Sequence, residues 1–454
     1  MRRWVPAFLL VLLLCIPVFF SRASDPGLLR DSDTKVLLAT IRERQAPLSW
    51  FSGDWPLMNH FYRPISTLAF EADNAVYGDN AAGYGTTNAL LCVGCILLLF
   101  WFLRELTDQP LMAGAATSLF AIWHLAGMPQ ILSLIASYAA LGALIGGVLR
   151  HRLAIRQYVP AFLVWTLLQG ELNGITSLPY RMIGWIPGRT ASVMTVFALI
   201  AMAAYARYER TGARRLAGPA LGPLDPPATR STEVAAEPGR FAWIWATVAI
   251  LATMLALGSY EQAVMLPAAL LGVAVCLRLQ RVQVRWGWQV AFWGVLVAYI
   301  ALRYQVIPRG NSGYQSQQLR YGPGVVLDLL AYALPAGGYV QGFLAACESG
   351  WLMLITATPY QFAITLGSNL VVFFRGAKRW VWLLTGWALS FLTFLPMAWL
   401  KTFDHYHYWP MAMRSVFVVA LVYVAVELTI NAWSPQAQQA PPRPAPAPGS
   451  LPHR

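Results

Sequence analysis

Long apolar segments recur along the chain, and they constrain its fold more than any other feature. A helix needs about 20 predominantly apolar residues to cross roughly 30 Å of hydrocarbon. Segments that approach or meet this length lie at 4–20, 86–103, 111–127, 131–149, 158–178, 190–206, 241–258, 262–279, 287–302, 351–374, 380–398 and 411–430. Inside hydrocarbon the backbone must satisfy its own hydrogen bonds, so each segment is expected to be helical. The sequence therefore predicts an all-α polytopic membrane protein with about 12 transmembrane helices.

The charge content agrees with this fold class and excludes an ordinary soluble enzyme. Hydrophobic residues make up 57% of the chain and charged residues only 12%, whereas soluble domains average about 25% charged residues. Most basic residues fall in alternate connections between the apolar segments, as expected of cytoplasmic loops. Both termini are then predicted to be cytoplasmic, in a multi-pass protein of a cell membrane that we take to be a bacterial inner membrane. The net charge of +13 follows from this topology and from contact with anionic membrane lipids, so it implies no nucleic acid partner.

Polar segments divide the chain further. Residues 1–430 are predicted to form one transmembrane domain, whose first external loop at 21–85 is large and contains interfacial helices. The cytoplasmic loop at 209–240 is predicted to be flexible, and the proline-rich cytoplasmic tail at 431–454 to be disordered. The apolar segment 325–347 contains an aspartate, a proline and glycines, and a crossing there would reverse the charge pattern. It is therefore interpreted as interfacial or re-entrant.

The first external loop opens with a pair of acids, Asp31 and Asp33, separated by one serine. Alternate carboxylates at a loop end can serve one site, either as a general base or as ligands of a divalent cation. Asp33 also precedes an apolar helical pattern, so it can be interpreted equally as a helix N-cap. From the residues alone, the cap is the favoured interpretation.

An arginine among aromatic residues follows in the same loop, where His60, Tyr62 and Arg63 precede a proline. A fixed guanidinium at a membrane surface suits contact with a phosphate or a carboxylate. Aromatic residues and arginine also anchor polypeptides at the membrane interface, and that alternative carries equal weight.

Further charged residues lie near the predicted external ends of helices. Arg189 begins a helix, where its charge and the free N–H groups would together favour an anion. Glu261 lies in a very short turn between two helices, and Glu171 lies inside a predicted helix. Charged residues at such depths are costly, which favours a functional role for both.

The last external loop contains Lys401, His405 and His407, with Arg414 following in the next helix. Two histidines beside an aspartate can bind zinc, but two on a short loop are weak evidence for a metal. The same cations can instead bind a phosphate or a diphosphate, which is the favoured interpretation. The metal content, and with it any divalent cofactor, is left unknown by the sequence.

The order of these motifs resembles that of the GT-C glycosyltransferases. Residues 61–65, 77–84 and 87–91 (FYRPI, YGDNAAGY and TNALL) resemble a block found in protein O-mannosyltransferase relatives, including the transmembrane-and-tetratricopeptide enzymes. Residues 185–190 (WIPGRT), 260–267, 395–396 and 408–410 resemble shorter motifs of that family in the expected order. The chain departs from the family pattern at Tyr260, where lysine is usual, and at Gly85, where histidine is usual. No tetratricopeptide repeats follow the last helix.

The resemblance implies an inverting transfer of a sugar from a polyprenyl-phosphate donor at the extracytoplasmic face. It makes Asp33 the expected catalytic base, with Asp31 as the second choice. A lipid phosphate as the leaving group requires cations, and those expected to bind it are Arg63, Arg189, Lys401 and Arg414. The acceptor can be a lipid, a glycan or a protein. A transporter or flippase of lipid-linked sugars and an O-antigen polymerase or ligase-like enzyme are the alternatives.

Overall fold

The computed structural model of the protein describes most of the chain. The described residues are 2–23, 29–44, 46–150, 155–173, 185–211, 242–322, 324–326, 329, 332, 367–374, 379–401 and 403–433. The predictions for the loop at 209–240, the segment 325–347 and the tail at 431–454 fall almost entirely outside these residues. So does most of the predicted helix at 351–374.

The described chain is built from α-helices joined by short loops and 3₁₀ turns. The helices are α1 (Val5–Ala23), α2 (Ser32–Arg44), α3 (Pro64–Tyr77), α4 (Ala81–Thr107), α5 (Pro110–Ile122), α6 (Met128–Arg150), α7 (Ile155–Asn173), α8 (Arg189–Thr211), α9 (Ala242–Leu257), α10 (Leu266–Leu279), α11 (Gly287–Val306), α12 (Gly313–Gln318), α13 (Trp380–Phe394) and α14 (Tyr408–Trp433). The 3₁₀ turns that concern the site are Pro47–Ser52, Ile186–Gly188, Glu261–Met265 and Asp404–His407.

The composition of these helices confirms a multi-pass, all-α membrane protein. Seven stretches among the described residues are long and apolar enough to cross a membrane, namely Ala81–Thr107, Met128–Gly146, Ile186–Thr211, Glu261–Leu279, Gly287–Val306, Trp380–Met397 and His405–Ala432. Three shorter apolar helices accompany them, at Val5–Ser21, Pro110–Ile122 and Ala242–Leu257. The count of 12 crossings is not established by these helices and stays a prediction.

The helices differ in how deeply they lie within the bundle. In the most apolar part of α8, 83% of the residues are buried, whereas in α11 only 22% are. The buried face of α8 is rich in alanine, and small residues let neighbouring helix backbones approach closely. At Gly386 of α13 a Cβ atom would overlap the backbone of Phe417 in α14. Helix α8 is therefore central, and α11 is a peripheral helix with most of its surface available to lipid.

The segment predicted to be the first external loop folds into a small layer, which shares a core with Ile186. Its core residues are Leu37, Leu38, Ile41, Trp50, Trp55, Phe70, Tyr84 and Ile186. The apolar pattern of 65–76 forms α3, which begins at Pro64 because proline suits the first helical position. The amide of Ile65 donates to the carbonyl of Gly258 at 3.0 Å, and a Cβ at Gly258 would approach Ile65 to 2.9 Å. This close approach fixes α3 against the turn between α9 and α10.

Candidate functional site

A cavity of about 460 Å³ lies where the predicted first external loop meets the turn after α9, the end of α11 and the loop before α14. Six aromatic side chains line its walls, namely Trp55, Phe61, Trp185, Tyr260, Tyr314 and Tyr406. Four of the residues that the sequence analysis singled out also line it: Asp33, Arg63, Glu261 and His405. The fold thus brings together side chains that are up to 372 positions apart in the sequence.

The two acids at the start of the loop have different surroundings. Asp31 is the N-cap of α2: its Oδ1 accepts the amide of Thr34 at 2.9 Å, and its Oδ2 accepts the Thr34 hydroxyl. Asp33 is not the helix cap that its local sequence favoured, because α2 already begins at Ser32. It lies in the first turn of α2, is exposed and lines the cavity. Its carboxylate makes no hydrogen bond or ion pair with the described residues. Burial raises the pKa of nearby Tyr314, and the charge of Asp33 adds to that rise.

Arg63 forms the central ion pair of the cavity. Its Nε and Nη2 both donate to Oε2 of Glu261, at 2.9 and 2.6 Å. The guanidinium lies over the rings of Trp55, Phe61 and Tyr260, with its carbon 5.0, 4.2 and 4.6 Å from the ring centres. Burial works against the charged form, but the charge and hydrogen bonds of Glu261 outweigh it and raise the pKa of Arg63. The pair therefore carries no net charge toward the cavity.

A strained loop at 54–61 forms one wall. Met58 and His60 have φ angles of +50° and +62°, a region that residues with side chains adopt rarely. Asp54 holds the loop, because its Oδ1 accepts the amide of Trp55 at 2.8 Å and its Oδ2 accepts the amide of His60 at 3.0 Å. Such strain persists only where the surroundings over-determine the conformation, and it is common at functional sites.

The segment after α11 holds this loop from the other side. The amide Nε2 of Gln315 and the Nη2 of Arg303 both donate to the carbonyl of His60, at 3.0 and 3.3 Å. Nδ1 of His60 lies 3.2 Å from the carbonyl of Gly310, and the hydroxyl of Ser312 donates to the carbonyl of Asn59 at 3.0 Å. His60 is thus a positioning residue of the cavity wall.

Several polar atoms around the cavity are buried and lack a hydrogen-bond partner among the described residues. They are Nε1 of Trp55, Oδ1 of Asn59, Oε1 of Glu261, Nε of Arg303 and Oε1 of Gln318. All five of these residues line the cavity. Buried polar atoms normally have partners, so this concentration indicates a place for a polar ligand or for ordered water.

Arg189 lies outside this cavity lining and is completely buried. Its Nε donates to Oδ1 of Asn88 at 2.5 Å, its Nη1 donates to Oδ2 of Asp73, and its Nη2 donates to the carbonyl of Tyr84 at 3.0 Å. The described structure therefore gives its donors protein partners from α3 and α4.

Arg414 and Glu171 also lie outside the lining and form a buried pair. Nε and Nη2 of Arg414 each donate to one oxygen of Glu171 at 2.9 Å. The pair joins α14 to α7, and its side chains are 7% and 6% exposed. The geometry is the bidentate one that arginine and carboxylate favour.

The other residues predicted for the last external loop lie in separate surroundings. His405 packs against Trp185, with ring centres 5.4 Å apart, whereas His407 stacks on Phe394 at 5.1 Å. Lys401 is exposed and is not part of the cavity lining. The described residues contain no group of three or more histidine, cysteine, aspartate or glutamate side chains that could hold a metal ion. Tyr62 is buried and donates to the carbonyl of Phe51 at 3.1 Å.

The sequence analysis missed Arg303 and the amide-bearing residues Asn59 and Gln318. The charge pattern predicts that the helix at 287–302 ends on the external side. A basic residue there departs from the positive-inside pattern, and this signal singles out Arg303. For Gln318 the sequence offers no comparable signal, because a glutamine in a polar loop is ordinary. No protein-family model, no curated protein and no solved structure matches this chain.

Proposed function

We propose that this protein is a glycosyltransferase that moves a sugar from a polyprenyl-phosphate donor to an acceptor hydroxyl at the extracytoplasmic membrane face. The observation that carries the proposal is the carboxylate of Asp33, which lines the cavity and has no partner among the described residues, whereas the nearby Asp31 carboxylate is used as a helix cap. The topology that goes with it has 12 crossings and both termini in the cytoplasm of a bacterial cell, and it is part of the same proposal.

The reaction is a displacement at the anomeric carbon. The acceptor oxygen forms a bond to that carbon as the bond to the phosphate oxygen breaks, and the phosphate leaves with the bonding electron pair. Asp33 takes the proton of the acceptor hydroxyl, which makes the oxygen a better nucleophile. Attack opposite the leaving group inverts the anomeric configuration.

The cavity walls suit a sugar. Aromatic rings such as Trp185 and Tyr314 offer flat apolar surfaces for the C–H faces of a sugar ring. The buried acceptor atoms Oδ1 of Asn59 and Oε1 of Gln318 can receive hydrogen bonds from sugar hydroxyls. A buried acceptor without a donor costs about 1–3 kcal/mol, so filling it favours a hydroxylated ligand over an apolar one.

The test is transfer by the purified full-length protein in liposomes, with a panel of polyprenyl-phosphate sugars and with release of polyprenyl phosphate as the readout. Asp33→Asn should lower the rate by at least about 10²-fold, the low end for a general base. Asp31→Asn is the matched control, because the same charge is lost two residues away. Asparagine caps a helix about as well as aspartate, so the loop keeps its fold and the rate should stay within a few-fold.

Three outcomes would contradict the proposal. Full activity of the Asp33→Asn variant would exclude this residue as the base. Movement of intact donor across the bilayer without release of polyprenyl phosphate would favour a transporter of lipid-linked sugars. Assembly of sugar repeats on the lipid carrier would instead indicate a polymerase-like enzyme.

A further inference from the structure

The cavity has two charged groups that the described residues do not neutralise. Arg63 and Glu261 pair with each other, which leaves the carboxylate of Asp33 and the guanidinium of Arg303. Arg303 makes one hydrogen bond to a described residue, from Nη2 to the carbonyl of His60 at 3.3 Å. Its Nε is buried without a partner, and no carboxylate pairs with it in the described part of the chain.

The other cations predicted for the donor phosphate are less suited to it. Arg189 and Arg414 donate to buried protein acceptors and do not line the cavity. Lys401 is exposed and lies outside the lining. Arg63 lines the cavity, but two of its nitrogens already donate to one oxygen of Glu261. Arg303 therefore has more N–H groups available to a ligand in the cavity than any of these four residues.

The position of Arg303 also suits a ligand that arrives from the membrane. It lies in the last turn of α11, the peripheral helix in which only 22% of the most apolar stretch is buried. Neighbouring residues present apolar surface outward, with Ile300 45%, Leu302 43% and Tyr304 74% exposed. A lipid chain lying along α11 would bring its headgroup to the level of Arg303.

We propose that Arg303 binds the phosphate of the polyprenyl carrier at the mouth of the cavity. The planar guanidinium can donate two parallel hydrogen bonds to phosphate oxygens, which a single ammonium cannot do. The positive charge compensates the charge that develops on the phosphate as it leaves. Binding of the carrier phosphate at this residue rests on the proposed function, since it names the donor contact of the same site.

The experiment measures binding of a long-chain polyprenyl phosphate, which carries no sugar, to the full-length protein in nanodiscs of zwitterionic lipid. Arg303→Gln should weaken binding by about 10- to 100-fold, as expected for hydrogen bonds to a charged group. Arg303→Lys keeps the charge but loses the two-pronged geometry, so it should weaken binding less. Arg309→Gln removes the same charge from an exposed position of the adjoining loop outside the cavity lining and should leave binding unchanged.

Two further ligands identify the source of the phosphate. The unphosphorylated polyprenol should bind weakly and show no dependence on Arg303. Phosphatidylglycerol at equal concentration should not displace the polyprenyl phosphate. If it did so with the same dependence on Arg303, the residue would belong to a general anionic-lipid site and the proposal would be overturned. Equal affinities of wild type and Arg303→Gln would overturn it as well.

The Asp33→Asn variant separates this inference from the proposed function. It should bind polyprenyl phosphate normally, because the phosphate contact is made by another residue. If polyprenyl phosphate binds in an Arg303-dependent manner but no sugar donor is ever consumed, the phosphate site is supported and the proposed transferase activity is refuted. If transfer proceeds while Arg303→Gln leaves binding and the donor KM unchanged, the function stands and this inference falls.

Discussion

Replacing Glu171 by glutamine leaves Arg414 as a charge without its carboxylate partner inside the helix bundle. The two side chains are 7% and 6% exposed, and two hydrogen bonds of 2.9 Å join them. At that separation the attraction amounts to roughly 6 kcal/mol for an effective dielectric constant of about 20. Much of it offsets the cost of removing both charges from water, so the pair adds little compared with apolar residues.

Removing only one member of the ion pair is expected to destabilise the protein far more than removing both. Removing one partner of a buried ion pair costs about 3–5 kcal/mol, because the remaining charge stays desolvated. Glutamine keeps one acceptor oxygen for Arg414, so we expect about 3 kcal/mol for Glu171→Gln. The double variant Glu171→Leu/Arg414→Met removes both charges and should lie within about 1–2 kcal/mol of wild type.

The assay is unfolding by increasing detergent denaturant in mixed micelles, followed by the fluorescence of the 19 tryptophans. The exposed pair of Arg3 and Asp108 supplies the control, since its side chains are 60% and 42% exposed. Asp108→Asn should therefore cost no more than about 1 kcal/mol. The reasoning would be refuted if Glu171→Gln were as stable as this control. If the double variant folded but no longer bound the donor, Arg414 would have to be counted among the residues that bind the donor phosphate.

Other predictions test the surroundings of the cavity and the topology. Glu261→Gln should release the guanidinium of Arg63 from its ion pair and lower the rate of sugar transfer by roughly 10-fold or more, whereas Glu261→Asp should keep part of that rate. A normal rate for the glutamine variant would show that the ion pair is not needed for transfer. In Arg189→Lys the ammonium cannot reproduce the planar guanidinium, which donates to three protein acceptors. The folded yield in membranes should therefore fall even though a positive charge remains. Single cysteines introduced at 45–60 should react with an impermeant reagent on intact cells, and failure of every site to react would place the first loop inside.

The sequence predicts the helices better than it predicts the site, because hydrophobicity is local and pairing is not. Helix α4 (Ala81–Thr107) is visible as an apolar run, whatever the rest of the chain does. The partner of Arg414 is Glu171, which lies 243 residues away in the sequence, and no pattern near either residue predicts that they pair. Local spacing was enough to choose between Asp31 and Asp33 as the helix cap, because the amide of Thr34 lies three residues after Asp31, as helix capping requires.

The loop at 54–61 has a consequence for how the protein is made. Asp54 restrains it locally, but its other restraints come from partners that are synthesised much later, since His60 and Gly310 are 250 residues apart. At roughly 5–20 residues per second, translation needs about 12–50 s to supply that partner. During that interval the loop lacks the contacts from Arg303, Gly310 and Gln315 that help to hold His60 in its strained conformation. The cavity is therefore completed late in biogenesis, and in a nascent chain that ends before α11 the loop at 54–61 should be cut readily by proteases.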